Sequence, residues 1–475
     1  MHVTQYYLDC LSHASYLVGD TTTGRAAVVD PQRDVSEYLR DAEAEGLTIE
    51  WVLETHFHAD FLSGHLELAD ATGATIGFGE AARADFDFEP LADGQRIDLG
   101  RVTLEVLATP GHTPESISIV VWDTEQSTGT PYGVLTGDTL FVGDVGRPDL
   151  LASSGVSADD LARRLYHSLH DKLLILPDET RVFPAHGAGS ACGKNLSTET
   201  QSTIGEQKRT NYALAPMSED DFVEVVTQGQ GVAPLYFSFA ADANKATHDL
   251  MAEAEPPPAL DLEGVLSYQA DGAVVVDTRD QMEFAAGHLP GSVNVGLGGR
   301  FAEYAGDVAR PGQPIVLVGD PGTELEAKVR LGRIGFDTVV GYLEDPIRAL
   351  VEHADLAECS SRVTAAELAE LLDDDADLQL IDLRNPGELE GGTVPAAATV
   401  PLATLLDDPG GLDRSVPTVV YCAGGYRSSI ASSALSARGF SDVSDLVGGF
   451  QAWASADRPV AAAPTASSDD PVDAG

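Results

Sequence analysis

Lysine is almost missing from this 475-residue chain, which carries only Lys172, Lys194, Lys208, Lys245 and Lys328. With 28 Lys+Arg against 76 Asp+Glu, the formal net charge is −48. A surface so acidic repels phosphate backbones and anionic lipids, which argues against nucleic acid and membranes as partners. Cysteine is nearly as scarce. Cys10, Cys192, Cys359 and Cys422 are too few and too scattered for a disulfide framework, and a reducing interior is expected. No apolar run reaches the length of a membrane span, and the opening MHVTQYYLDC lacks a basic stretch leading into an apolar one. The expectation is a soluble, cytoplasmic protein.

Disorder does not explain the charge, because the acidic residues are spread through the chain and hydrophobic residues still make up 43% of it. A folded, halophilic protein, whose self-repulsion is screened by high salt, fits better. The length exceeds one ordinary core, so several domains are expected.

The first half alternates apolar runs with Gly- and Asp-bearing turns. AAVVD near Asp30, WVLET to Thr55, VTLEVLAT to Thr109, SISIVVW to Trp122, YGVLTGD to Asp138 and RVFPAH to His186 read as strands ending on polar or ionisable residues. A helical pattern runs from Ala158 to His170, so this half reads as mixed α/β with a site at strand ends. AEAEPPPA, 252–259, is a stiff linker and a domain boundary. Beyond it the chain repeats: Asp277 and Arg279 in GAVVVDTRDQMEF recur 105 positions on as Asp382 and Arg384 in DLQLIDLRNPGEL. PIVLVGDPGTE from Pro314 recurs 103 positions on as PTVVYCAGGYR from Pro417. Two tandem domains of about a hundred residues follow. The boundaries read from these features are 1–250, 259–352 and 361–460, with an acidic tail over 461–475.

Four loops at strand ends carry metal-ligand residues: His56, His58 and Asp60 in THFHADFLSGH, His112 in TPGHTPES, Asp138 in LTGD and His186 in PAHG. A lone histidine is more often packed than functional, but four such loops in one half point to a metal. Two arrangements stay open. Zinc would favour the three nitrogens of His56, His58 and His112 with a water. Non-haem iron would favour His56, His112 and Asp138 as a two-histidine, one-carboxylate face.

These loops resemble the metallo-β-lactamase fold, an αββα sandwich, over about Met1 to Lys245. Hydrolases of that fold such as glyoxalase II are typically dinuclear, and by analogy a second metal would take Asp60, the residue at position 61 and His186. Phe61 stands there instead of a ligand. THFHAD, TPGHTPES, LTGDTLFVGDVGRPDL and HGAGSACGK are similar to the persulfide dioxygenase branch. That resemblance implies mononuclear Fe(II) on His56, His112 and Asp138, with His58, Asp60 and His186 supporting the ligands. Arg147 in GRPD suits an anionic thiol persulfide by its place after Asp138, although a structural ion pair is an equal reading. Cys192 is by default an inert thiol, and the resemblance raises a sulfur-handling role to even standing with that default.

CAGGYRS from Cys422 follows the strand TVVY and precedes the helical run SIASSALSARGF. Backbone N–H groups around Gly424 and Gly425 can stabilise an anion on the cysteine sulfur, and Arg427 adds a cation for an incoming oxyanion. The pattern resembles the rhodanese active loop, in which the cysteine carries a sulfane sulfur. The first repeat resembles rhodanese too, through VVDTRDQMEF and AGHLPGSVNV, but Gly319 and Glu324 stand where Cys422 and Arg427 stand. A scaffolding or docking role is expected of it.

The whole resembles a multidomain persulfide dioxygenase-sulfurtransferase: an α/β metallo-β-lactamase αββα sandwich followed by two rhodanese-like α/β domains. The resemblance implies oxidation of a low-molecular-weight thiol persulfide by dioxygen to sulfite, coupled to formation or use of thiosulfate in sulfide detoxification. A zinc-dependent thioester hydrolase of the glyoxalase II type with a sulfurtransferase domain is the alternative. A homo-oligomer is compatible with the sequence.

Overall fold

A computed structural model describes residues 1–125, 129–150, 155–374 and 377–462. Of the expected acidic tail, 463–475 lie outside the described residues. Six strands form a first sheet in chain order: β1 (His2–Leu8), β2 (His13–Asp20), β3 (Arg25–Val29), β4 (Thr48–Leu53), β5 (Thr75–Gly79) and β6 (Glu89–Leu91). A second sheet runs β12-β11-β10-β9-β8-β7, from β7 (Arg96–Asp98), β8 (Val102–Ala108), β9 (Ile117–Asp123), β10 (Gly133–Gly137), β11 (Arg181–Pro184) and β12 (Ser202–Thr203). All six runs read as strands from the sequence are among them. The helix expected from Ala158 to His170 spans Ala158–His167 and then widens into a π-helical turn, Ser168–Leu173.

The sheets face each other through Tyr16, Val18, Val29 and Leu53 on one side and Leu104, Val106, Ile119 and Leu135 on the other. Alternate residues point outward, and helices cover them. Leu17, Val28 and Val52 pack with Tyr38 of helix Ser36–Ala44 and Leu68 of helix His65–Thr72. Val120, Val134 and Val182 pack with Leu165 and with Phe222 of helix Glu219–Thr227. This is the αββα sandwich. Strands buried on both faces read as nearly continuous apolar runs, as β3 and β9 do. Each fully buried aliphatic side chain contributes about 1.5–3 kcal/mol, so the sandwich holds its polar strand ends on a rigid frame.

The two repeats are parallel α/β. In the first, β17 (Val339–Leu343) pairs with β13 (Ala259–Leu260) and β16 (Ile315–Val318), and β14 (Val274–Asp277) pairs with β15 (Val293–Asn294). In the second, the order is β18-β22-β21-β19-β20, built from β18 (Ser361–Val363), β19 (Gln379–Asp382), β20 (Ala398–Thr399), β21 (Thr418–Tyr421) and β22 (Val443–Leu446). The Asp-x-Arg signatures fold back on themselves in the same way, with Arg279 Nε 3.0 Å from Asp277 Oδ1 and Arg384 Nε 3.0 Å from Asp382 Oδ1.

By its contacts the chain forms two compact units: Met1–Ala273 with Leu297–Glu344, and Val274–Gly296 with the chain from Asp345 onward. The division falls inside the first repeat. Its helix Phe301–Val308 belongs to the unit of the sandwich, where buried Asp307 accepts the Leu235 N–H at 2.7 Å. Burial pushes the Asp307 carboxyl up to about 8; Glu303 adds to this, while the Leu235 N–H, Arg300 and Arg310 oppose it. Between the ordinary Asp value near 4 and pH 8, the folded chain holds a proton that the unfolded chain has released. Stability therefore falls as pH rises through that window. Asp307→Asn keeps an acceptor for Leu235 and should remove this slope, gaining about 1 kcal/mol or more at pH 8 relative to pH 5 in denaturant titrations. An unchanged difference between the two pH values would refute the buried proton.

Candidate metal centre and sulfur-transfer loop

The C-terminal end of β4 leads directly into the loop carrying His56, His58 and Asp60, and Asp138 follows β10 while His186 follows β11. Sheet geometry thus gathers residues that lie far apart in sequence. All six metal-centre residues are buried. One group of ligand atoms, from His56, His112 and Asp138, lies within 4.8 Å of one another, and so does a second from His58, Asp60 and His186. Asp138 Oδ2 is 3.7 Å from His56 Nε2 and 3.4 Å from His112 Nε2, while its Oδ1 is 3.5 Å from His186 Nε2.

The imidazoles are aimed by what holds their other nitrogens. His112 Nδ1 donates to the Arg147 carbonyl at 2.8 Å, which turns Nε2 toward Asp138. His56 Nδ1 lies 2.9 Å from the Thr55 hydroxyl, which itself donates to Asp30 at 2.9 Å. Such outer partners fix the tautomer and direction of a metal-binding ring. Asp30 and Thr55 carried no recognisable motif in the sequence.

Electrostatics also favours a cation. Burial holds His112 down to about 4 and His56 well below the usual histidine range, so both rings are neutral. Burial pushes the Asp138 and Asp60 carboxyls each up to about 6. His56 Nε2 and both oxygens of Asp138 and of Asp60 have no hydrogen-bond partner. Buried polar atoms rarely lack partners unless an ion or water satisfies them. The donor set of two neutral imidazoles and a carboxylate fits a divalent metal ion such as iron or zinc.

His58 differs from the rest. Burial alone would lower it, but Asp30 at 3.1 Å, with Glu54 and Asp60, brings it up to about 9. In the metal-free protein a protonated His58 pairs with these carboxylates. Phe61 is 1% exposed and packs its ring on His58 at 4.3 Å and on His13 at 4.0 Å. An apolar ring thus fills the side of the second group.

Arg147 is buried, with Nε and Nη2 each 2.7 Å from Asp149 and Nη1 3.2 Å from the Ala191 carbonyl. The structural ion pair is present, and the side chain still lines a cavity of about 300 Å³ together with Ala59, Leu235, Phe237 and Lys245. Cys192 is fully buried within 4.8 Å of Asp138 and His186. Burial, with Asp60 and Asp138 nearby, raises its thiol well above the usual range and keeps it protonated. Gly146 is required between Arg147 and the ligands, because a Cβ there would overlap the Asp138 carbonyl.

In the second repeat Cys422 directly follows β21 and is 2% exposed. Among the described residues, the N–H that reaches its sulfur is that of Gly425, at 3.1 Å. Gly424 sends no such bond, and a side chain there would meet Gln451. Gly425 sits at φ 111°, a left-handed backbone that favours glycine, and from it the helix Tyr426–Ala437 begins. Ser428 Oγ lies 3.8 Å from the sulfur. Arg427 forms a two-pronged pair with Glu388 at 2.6 and 2.7 Å.

A metallo-beta-lactamase superfamily profile matches residues 8–186, and a rhodanese-like domain profile matches 262–352 and again 364–456. The chain is 31% identical over 236 residues to a Bos taurus protein described as persulfide dioxygenase ETHE1, mitochondrial, covering 48% of this chain and 82% of the relative. It is 33% identical over 244 residues, 45% of this chain, to a beta-lactamase hydrolase-like protein of Xylella fastidiosa, and spans about half of that relative's length, 52%. A solved metallo-beta-lactamase from Staphylococcus aureus matches with a TM-score of 0.66 and 34% identity, covering 72% of this chain and 99% of its own. No helix among the described residues is long and apolar enough to cross a membrane.

Proposed function

Since this chain belongs to the metallo-beta-lactamase superfamily and carries two rhodanese-like domains behind that domain, we propose that it oxidises a small thiol persulfide to sulfite at a mononuclear ferrous site and transfers sulfane sulfur at Cys422. The observation that carries the first half is the buried face of His56, His112 and Asp138, its rings aimed by outer hydrogen bonds, with His56 Nε2 and both Asp138 oxygens lacking other partners. When bound, ferrous iron supplies open positions and the redox chemistry that dioxygen needs.

The balanced reaction is RSSH + O2 + H2O → RSH + SO3²⁻ + 2H⁺. The chain's own residues do the rest of the work. The apolar wall of Ala59, Leu235 and Phe237 takes the carbon part of the carrier and excludes water. Arg147, held in place by Asp149, presents positive charge to an anionic persulfide, and the protonated Cys192 thiol stands within 4.8 Å of Asp138 and His186. At the second site the Cys422 sulfur attacks the outer sulfur of thiosulfate. An S–S bond forms, the S–S bond of thiosulfate breaks, and sulfite leaves with the electron pair. The Gly425 N–H and the Arg427 charge steady the anions.

The test is metal analysis of anaerobically purified protein together with oxygen uptake on adding a thiol persulfide. Iron with oxygen uptake is expected. Zinc with thioester turnover and no oxygen uptake would establish the hydrolase reading, which the gathered His58, Asp60 and His186 favour. Phe61 separates the two readings further. Phe61→His should let the protein hold close to two equivalents of zinc where the parent holds one, measured by elemental analysis after dialysis. One equivalent in both would show that Phe61 is not what excludes the second ion.

A further inference from the structure

The helix Phe237–Ala243 is fastened to the metal loop at both of its ends. Before its start, the Tyr236 hydroxyl donates to the Asp60 carbonyl at 2.8 Å. After its end, the Asn244 carboxamide donates to the His58 carbonyl at 2.8 Å and to the Phe61 carbonyl at 2.7 Å. The same carboxamide accepts the Ser63 N–H at 2.9 Å. Both Tyr236 and Asn244 are buried, each 1% exposed. From His58 to Leu62 the chain is neither helix nor strand, and Ser63 makes only an isolated bridge to Gln32, so most of these peptide groups have no ladder to satisfy them. Tyr236 and Asn244 supply four of those hydrogen bonds.

The carboxamide has no freedom to flip, because both of its N–H donors face carbonyls and its oxygen faces an N–H. The same helix lines the cavity through Phe237, Ser238 and Ala241, opposite Ala59 and Arg147. Ala59 lies between His58 and Asp60, and the Arg147 carbonyl holds His112. One helix therefore touches the substrate wall along its length and the ligand loop at each end.

We infer that Tyr236 and Asn244 are positioning residues for the metal centre: they fix the backbone from His58 to Ser63, and with it the loop that begins at the ligand His56, so that this side of the site stands in place before the ion arrives. A loop held in its binding form loses little freedom when it closes on a ligand, and affinity rises accordingly. The inference rests on the loop carrying metal ligands and not on which reaction follows.

Tyr236→Phe removes only the hydroxyl, and Asn244→Asp keeps the shape and the acceptor while setting a carboxylate against two carbonyls. With the native metal removed, each protein is titrated with Co(II) in a chelator buffer, and the visible bands of bound cobalt are recorded. Each variant should bind Co(II) about 10–100-fold more weakly and shift its bands, while the thermal midpoint of the metal-free Tyr236→Phe protein stays within a few degrees of the parent. Unchanged affinity and bands in both variants would overturn the inference. So would an affinity loss that merely follows a large fall in the metal-free midpoint in both, since that assigns the residues to general stability. No substrate enters this measurement, so it stands even if the dioxygenase reading fails.

Discussion

Cys422→Ser abolishes sulfur transfer from thiosulfate, by about a thousandfold or more, and leaves oxygen uptake with a thiol persulfide at the parental rate. The reason is chemical and not structural. A serine hydroxyl fits the space of the thiol at the end of β21 and can accept the Gly425 N–H, so the loop keeps its form. Its oxygen has little tendency to attack sulfane sulfur, and the transfer stops. Oxygen uptake is spared because Cys422 and the metal residues belong to different compact units. Sulfite release with cyanide as acceptor reads the first activity, and an oxygen electrode reads the second. Transfer surviving within tenfold of the parent would mean that this loop has been misassigned.

Asp138→Asn has two effects of opposite sign. Its oxygens lie between His56, His112 and His186 and lack other partners, so loss of the charge should weaken metal binding by about a thousandfold and silence oxygen uptake. The metal-free protein should nonetheless become more stable. Burial raises the Asp138 carboxyl to about 6, above its unfolded value near 3.9, so the folded state carries a cost that grows from about pH 4 to pH 6 and stays constant above. The amide does not ionise, and the variant should gain about 1–3 kcal/mol at pH 7 in denaturant titrations of the metal-free protein. A stability gain without loss of metal would show that Asp138 lies outside the ligand set.

Much of this was legible in the sequence because strand ends are local signals. Apolar runs closing on His56, Asp138 and His186 announce both the sheets and the place of the site, and Cys422 before a Gly-rich turn announces the transfer loop. What could not be read depends on contacts between distant parts of the chain. Asn244 sits more than 180 positions from the carbonyls it holds, in a stretch with no motif. Thr55 and Asp30 act on His56 through two hydrogen bonds whose meaning appears only when β3 and β4 lie side by side. For Arg147 the sign was present: Asp149, two residues on, is the ion-pair partner that the equal reading required. Nor does any local pattern reveal that the first repeat is shared between two units, since sequence repetition reports ancestry and not packing.

That division bears on how the protein can change. Arg33 is buried, with its guanidinium on Glu67, on the Asp249 carbonyl, and on the Gly332 carbonyl and Asp337 of the first repeat. Leu62, next to Phe61, gives its N–H to the Arg333 carbonyl at 2.7 Å. The repeat without the cysteine is thus part of the sandwich's foundation. Cutting the chain at the prolines would leave a buried charge short of partners, so this linker is not a place where the chain can be taken apart.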